Sequence, residues 1–268
     1  MIKFFRNIRR KLASEKRFLS YSRYALGEIL LVVLGILIAL QVNNWNESQK
    51  QKKQETIYLQ NLRIDLKKQI QLLDYYIDFE DIFIQDCKDI IKHYEQNDGF
   101  NKMDSLFPKI NDLSVRLSFT NANTTLLEIM NSGEINIVEN GNLKKELMEF
   151  NQLIQRFAAN TINNNTNLVD QIVARSVVKH GNFASSSYSK KMRSKLQEYY
   201  PMAFSTVNDP NLKYIVIENL NEPTLRLEFI NNVVFRNGLA IIQKAGDEDL
   251  KGKAEQLLKN IERELNKR

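Results

Sequence analysis

A chain of 268 residues with nine glycines, four prolines and one cysteine is neither fibrous, nor low-complexity, nor a disulfide-stapled scaffold. Its net charge of +6 invites a nucleic-acid partner. Eight bases against one acid give residues 1–23 a net charge of +7, however, which leaves the remainder at −1 and no basic footprint for a phosphate backbone.

The chain opens with IKFFRNIRRKL. Phe5, Ile8 and Leu12 share one helical face, while Lys3, Arg6, Arg9, Arg10 and Lys11 fill the rest. That pattern predicts an amphipathic tail lying on an anionic membrane surface; a solvated basic flank is the plainer alternative. Tyr24 to Val42, YALGEILLVVLGILIALQV, follows. Its nineteen residues span about 28 Å as helix, close to the ~30 Å of a hydrocarbon core. The exit, Ala39 to Trp45, offers no small-x-small cleavage site, so an uncleaved signal anchor is expected rather than a signal peptide. Eight bases precede the span and only Lys50, Lys52 and Lys53 follow it closely, which predicts a cytoplasmic tail and a domain on the far side. Tyr21, Tyr24 and Trp45 suit the two interfacial belts.

Inside the span, Gly27, Gly35 and Ala39 lie on one face and allow close helix approach, the basis for an expected homodimer through the span. Glu28 is an intramembrane carboxylate. It is either functional or, one turn from the boundary, simply able to reach headgroups.

The run GEILLVVLGILIALQVNNWNE, Gly27 to Glu47, behind the basic start resembles the opening of an uncharacterised family of Bacteroidota single-span membrane proteins, catalogued as domain of unknown function 6090. Ser132-Gly133-Glu134-Ile135-Asn136-Ile137-Val138, with Asn142-Leu143-Lys144, is similar to that family's central segment. The resemblance implies a bacterial single-span protein and carries over no catalytic or binding residue.

Residues 43–58 read as a charged helical stalk. Leu59, Leu62, Leu66, Ile70, Leu73, Ile77, Ile84, Cys87, Ile91 and Tyr94 then step by threes and fours, predicting one long amphipathic helix to about Gln96, stopped by Asn97-Asp98-Gly99. Cys87 on that stripe reads as a small core residue. Residues 98–120 are irregular around Pro108, and Asp104-Ser105-Leu106 is similar to an O-glycan acceptor in exported Bacteroidota proteins. Thr120 or Asn121 is expected to cap a short helix closed by Ser132-Gly133, and Asn140-Gly141-Asn142 to form the turn and cap before the next. Asparagines from 160 to 167 predict a kink or exposed stretch before the stripe resumes toward Gly181. Lys190–Tyr199 is a short helix. Asp209-Pro210 and Glu222-Pro223 each read as N-cap plus first-turn proline. In the last region Leu227, Ile230, Val234 and Ile241 are expected inward, with a break at Gly246-Asp247 before the stripe Leu250, Ala254, Leu257, Ile261 and Leu265.

Catalytic signatures are missing. The two histidines, His93 and His180, have Ile90 and Val177 where a di-metal carboxylate bundle needs glutamates. There is no P-loop, Gly-x-Gly-x-x-Gly or Gly-x-Ser-x-Gly. Asp74, Asp78 and Asp81 share a helical face and could hold a cation, or form a solvated face opposite the leucines. Tyr75-Tyr76 and Tyr199-Tyr200 read as packing or surface pairs. The expectation is an all-α protein: a basic tail (1–23), a transmembrane helix (24–42), a stalk (43–58) and an antiparallel helical bundle (59–268) outside a bacterial inner membrane. Its expected role is noncatalytic, an interaction or scaffolding module of the cell envelope, with ligand sensing through a partner membrane protein as an extension. No cofactor, metal or nucleic acid is expected; the partners are the bilayer and another membrane or envelope protein. The alternative is an envelope enzyme with a pocket between helices.

Overall fold

The computed structural model describes residues 18–199 and 206–267, and within them every regular element is helical. Two compact units emerge, Met1–Ile57 and Tyr58–Arg268. One helix, α1 (Phe18–Gln96, 79 residues), contributes to both.

In the first unit, α1 contains a stretch long and apolar enough to cross a membrane, and none of that stretch is buried by protein. Leu26 to Val42 present their aliphatic side chains outward, as a helix solvated by lipid does. The chain therefore has a candidate membrane span near its N-terminus.

In the second unit, Leu59, Leu62, Leu66 and Leu73 are buried along α1, as the spacing predicts. Beyond Tyr76 the buried face widens to take in Phe79, Ile82, Phe83, Cys87 and Ile90, because additional helices cover α1 there. The expected contacts Ile70, Ile77, Ile84 and Ile91 sit at its half-buried margins. Asp98 and Gly99 take φ of 49° and 124°, and the Gly99 amide donates to the Tyr94 carbonyl at 3.0 Å, which ends the helix where expected.

The chain then returns along α1 through a long irregular crossing. It includes a 3₁₀ turn (Asp104–Leu106), α2 (Phe107–Asp112), α3 (Thr124–Ser132) and a second 3₁₀ turn (Glu134–Ile137). Polar side chains on one face of α1 pin its backbone. The Tyr76 hydroxyl donates to Ser118 O and accepts from Thr120 N; Gln69 Oε1 accepts from Ala122 N at 2.8 Å. Asp65 Oδ2 accepts from Thr125 N at 2.8 Å, and Tyr58 bonds Glu134. The N-cap position of α3 is Asn123 rather than Thr120 or Asn121, and the carboxylate that meets its first turn, accepting from the Thr125 amide and the Thr124 hydroxyl, comes from α1. Asn121 instead accepts from Asn123 N and shapes the approach.

Asn140 caps α4 (Gly141–Asn163), accepting from the amides of Asn142 and Leu143. The asparagine-rich stretch does not break the chain. It passes into a π-helical stretch (Asn164–Ala174) continued by α5 (Arg175–His180). The wider winding turns Asn165 so that its Nδ2 donates to Leu117 O at 2.7 Å, tying this helix to the crossing. After α6 (Lys190–Tyr199) and α7 (Asn211–Asn221), Glu222 caps α8 (Pro223–Leu265) by accepting from Leu225 N.

Asp74–Lys251 and Asp81–Lys244 run in opposite sequence order, as do Glu146–Asn260 and Thr161–Gln243. Thus α8 lies antiparallel to both α1 and α4, and α1 and α4 point the same way, which is why the crossing is so long.

Two expectations for α8 are overturned. Gly246-Asp247 does not break it; the helix is continuous for 43 residues. Leu227, Val234 and Ile241 do not face inward; Phe229, Val233, Arg236 and Ala240 do. This helix carries apolar residues on two faces, and the longer-spaced one lies outside.

Candidate functional site

The acidic face of α1 is satisfied by lysines. Asp74 meets Lys251 at 2.7 Å, Asp78 meets Lys195 at 2.7 Å and Asp81 meets Lys244 at 2.8 Å. Two other helices thus deliver three ammonium groups where a cation would sit. Among the described residues no cluster of three or more His, Cys, Asp or Glu side chains is arranged to hold a metal. His93 Nε2 lies 2.7 Å from Asn101 O, and His180 is buried 3.7 Å from Glu228. Burial holds the His180 pKa low against the pull of that glutamate. Cys87 is buried, and burial pushes its thiol up to about 12, so it is inert core. Tyr75 packs edge-on against Phe79 with centroids 4.8 Å apart. Tyr199 ends a described helix, but its neighbour Tyr200 lies outside the described residues.

Buried charge is concentrated elsewhere. Glu80 of α1 and Arg236 and Asp247 of α8 are all under 10% exposed. Arg236 Nη1 stands 3.7 Å from Glu80 Oε2, and its guanidinium lies over the Phe83 ring at 3.9 Å. Burial pushes Glu80 up to about 7, opposed by Arg236; burial and then the Glu80 charge push Asp247 up to about 8. A cavity of about 20 Å³ lies among Tyr76, Glu80, Thr161, Asn165, Gln243 and Asp247. That is room for about one water and none for an organic substrate. A second carboxyl pair, Asp86 with Asp112 of α2, is likewise raised by burial, Asp86 to about 8; Asp112 Oδ1 accepts from Ser189 N at 2.8 Å. The sequence signal for these groups was position alone, since each acid or base falls on a stripe otherwise apolar.

The larger features are at the surface. A groove of about 320 Å³ runs between α4 and α8, lined by Glu146, Glu149, Phe150, Leu153, Arg156 and Lys253. Farther along α8, Leu227, Val234, Phe235, Ile241 and Ile242 are exposed by 61, 52, 39, 48 and 68%. Between them Gly238 has open space where a β-carbon would stand. Glu228, exposed one heptad before Phe235, borders this outward face, and from Asn231 to Ala245 no charged residue falls on it.

In the candidate span, Gly27 and Gly35 also have open space, Ala39 is exposed and Glu28 is half-exposed. Lys3, Arg6, Arg9, Arg10 and Lys11 lie outside the described residues. Ser105 is exposed on its 3₁₀ turn.

No curated protein and no solved structure matches the chain. Residues 28–202, well over half of its length, match the Family of unknown function (DUF6090), which includes the apolar stretch, the crossing and α4 to α6. The chain belongs to that family.

Proposed function

We propose that the protein is a membrane-anchored helical module of the bacterial envelope that acts by protein association rather than by catalysis. The observation that carries this reading is the outward face of α8. Five large apolar side chains on one helical face leave roughly 500 Å² of apolar surface in water, the size of the largest patch on a typical monomer, which is often an interaction site. The Glu80 and Asp247 carboxyls fit the same reading, because the cavity beside them has room for about one water and none for an organic substrate. In this reading the N-terminal helix crosses the inner membrane once with the basic tail in the cytoplasm. The domain faces the periplasm, where it meets another membrane or envelope protein. Gly27, Gly35 and Ala39 would let spans of two molecules approach closely in the bilayer.

Two measurements test it. A reporter active only in the periplasm, fused after Arg268, should be active; activity restricted to a cytoplasmic reporter overturns the orientation. Val234→Lys, which leaves the fold intact because the site is exposed, should abolish the function detected by deletion of the gene. A fully active Val234→Lys protein overturns association through α8.

A further inference from the structure

Resting on that reading of the α8 face, we infer that its partner is a second copy of this chain, paired in parallel through a two-fold seam. Leu227, Asn231, Val234, Gly238, Ile241 and Ala245 step by four, three, four, three and four, the spacing that keeps one face of a helix against another. Five of the six are exposed, and Gly238 is half-buried with nothing of its own chain above it. A glycine in mid-helix costs about 0.5–1 kcal/mol against alanine, and neither its φ nor any contact within the chain calls for one here. The open space lies in the middle of the seam, where it lets an outside backbone approach closely.

A copy of the same helix fits this face residue for residue. In a parallel pair each seam residue meets its own counterpart. Leu227, Val234 and Ile241 form apolar layers, Gly238 and Ala245 let the axes close, and Asn231 can hydrogen-bond to Asn231, the device that fixes register and favours two parallel strands. Flanking positions agree: Ile230 would lie beside Phe235 of the other copy, Asn237 beside Ile242, and Lys244 beside Asp249, with no like charges opposed over these turns. Glu248, the next seam residue, would face another Glu248 and ends the contact. The five large side chains contribute roughly 500 Å² per copy, and Ile230, Asn231 and Ala245 bring the pair to about 1,200 Å² in total, the lower bound for a specific interface. Copies anchored in one bilayer share an orientation and a raised local concentration, which a contact of this size needs.

Disulfide trapping of the full chain in native membranes tests the inference. Gly238→Cys and Ile241→Cys sit in the seam, and Gln152→Cys, exposed on α4, is the control; the native Cys87 is buried and stays silent. Under mild oxidation both seam variants should give a product of twice the monomer mass, at least fivefold above the control. Adding Val234→Lys should suppress it while the circular-dichroism melt stays unchanged. Equal trapping of seam and control overturns the seam. A seam cysteine trapped to a product of another mass overturns the second copy as partner and leaves the association reading standing. No trapped product of any kind, with the wild type monomeric, overturns both.

Discussion

Phe157 of α4 closes over Gly246 of α8 so tightly that a β-carbon at 246 would stand 2.7 Å from Phe157 Cε2. That ring packs edge-on against Phe119 of the crossing, with centroids 5.1 Å apart, so it has little freedom to retreat. Gly246→Ala gains helix propensity but overpacks this contact, at a cost of about 1–3 kcal/mol, and should lower the melting temperature. Gly252, two turns on, has open space above it, and Gly252→Ala should stabilise by about 0.5–1 kcal/mol. Urea unfolding of the two variants checks both signs; a stabilising Gly246→Ala would show that the ring moves freely.

That glycine also shows why the sequence reading of α8 failed. Gly-Asp in a helical pattern has the look of a stop, and only the ring opposite reveals that Gly246 is there for close approach. The inward register failed for a related reason. Residues 223–245 hold apolar side chains on two faces, and local spacing cannot say which face a neighbouring helix will cover. By contrast Leu59 to Leu73, the Gly99 stop and the Asn140 and Glu222 caps were legible, because a single apolar stripe, a positive φ and a cap are local. The pinning of the crossing by Asp65, Gln69 and Tyr76 joins residues 42 to 60 positions apart and left no local trace. Nor did the pairing of Asp74, Asp78 and Asp81 with lysines of other helices.

Stability should fall as pH rises from about 4 to about 8. Glu80 at about 7, and Asp86 and Asp247 at about 8, keep their protons in the fold where the unfolded chain, with carboxyls near pH 4, has lost them. Unfolding in that window releases protons, so each step up in pH favours the unfolded chain. Arg236 opposes the effect at Glu80, and Lys109 opposes it at Asp86, while Asp112 and Asp89 reinforce it there. His180 and Glu222 act oppositely: His180, held low by burial, costs stability as pH falls below about 6.5, and Glu222, held low by the Leu225 and Thr224 amides, does so only below about pH 4. Thermal melts at pH 5.5 and 8.5 should differ by more than about 1.4 kcal/mol, the linkage of one pKa unit, with the acid side more stable. Asp247→Asn should flatten the profile. Equal melts at both pH values would mean these carboxyls are ionised and solvated at neutrality.

Gln69 is fully buried among leucines of α1, yet a hydrophobic replacement should harm the protein. Its Oε1 accepts from Ala122 N at 2.8 Å and from Asn123 Nδ2 at 3.1 Å, and its Nε2 donates to Thr120 O. Gln69→Leu strands these groups in a dry environment at about 1–3 kcal/mol for each that stays unsatisfied. The expected loss exceeds about 2 kcal/mol by urea unfolding, with faster proteolysis between residues 115 and 125. Gln71→Leu, on the exposed side of the same helix, should stay within about 0.5 kcal/mol of wild type. Equal losses in the two variants would show that the crossing does not depend on Gln69.

The lysine-paired acids of α1 should contribute little stability and bind no divalent cation. Asp74, Asp78 and Asp81 are each about half exposed, and their lysine partners are about 30% exposed. Ion pairs so open to water and salt are worth about 0–1 kcal/mol each, because solvation lost and side-chain freedom lost offset most of the attraction. What the pairs do is occupy the carboxylates: hydrogen bonds from Lys251 to Asp74 and from Lys244 to Asp81 hold both lysines above their ordinary pKa, so the ammoniums stay charged throughout the physiological range. Lys251→Ala should therefore change the unfolding free energy by less than about 1 kcal/mol, and less still in 0.5 M salt. Calcium at millimolar concentration should leave the wild-type melting temperature where potassium at matched ionic strength leaves it. Lys244→Ala/Lys251→Ala should not gain a calcium-dependent rise either, because Asp74 and Asp81 stand two turns, about 10 Å, apart on the same face and Asp78 between them keeps Lys195. A rise in the wild type instead would mean that the carboxylates exchange lysine for metal and that the acidic face is a cation site after all.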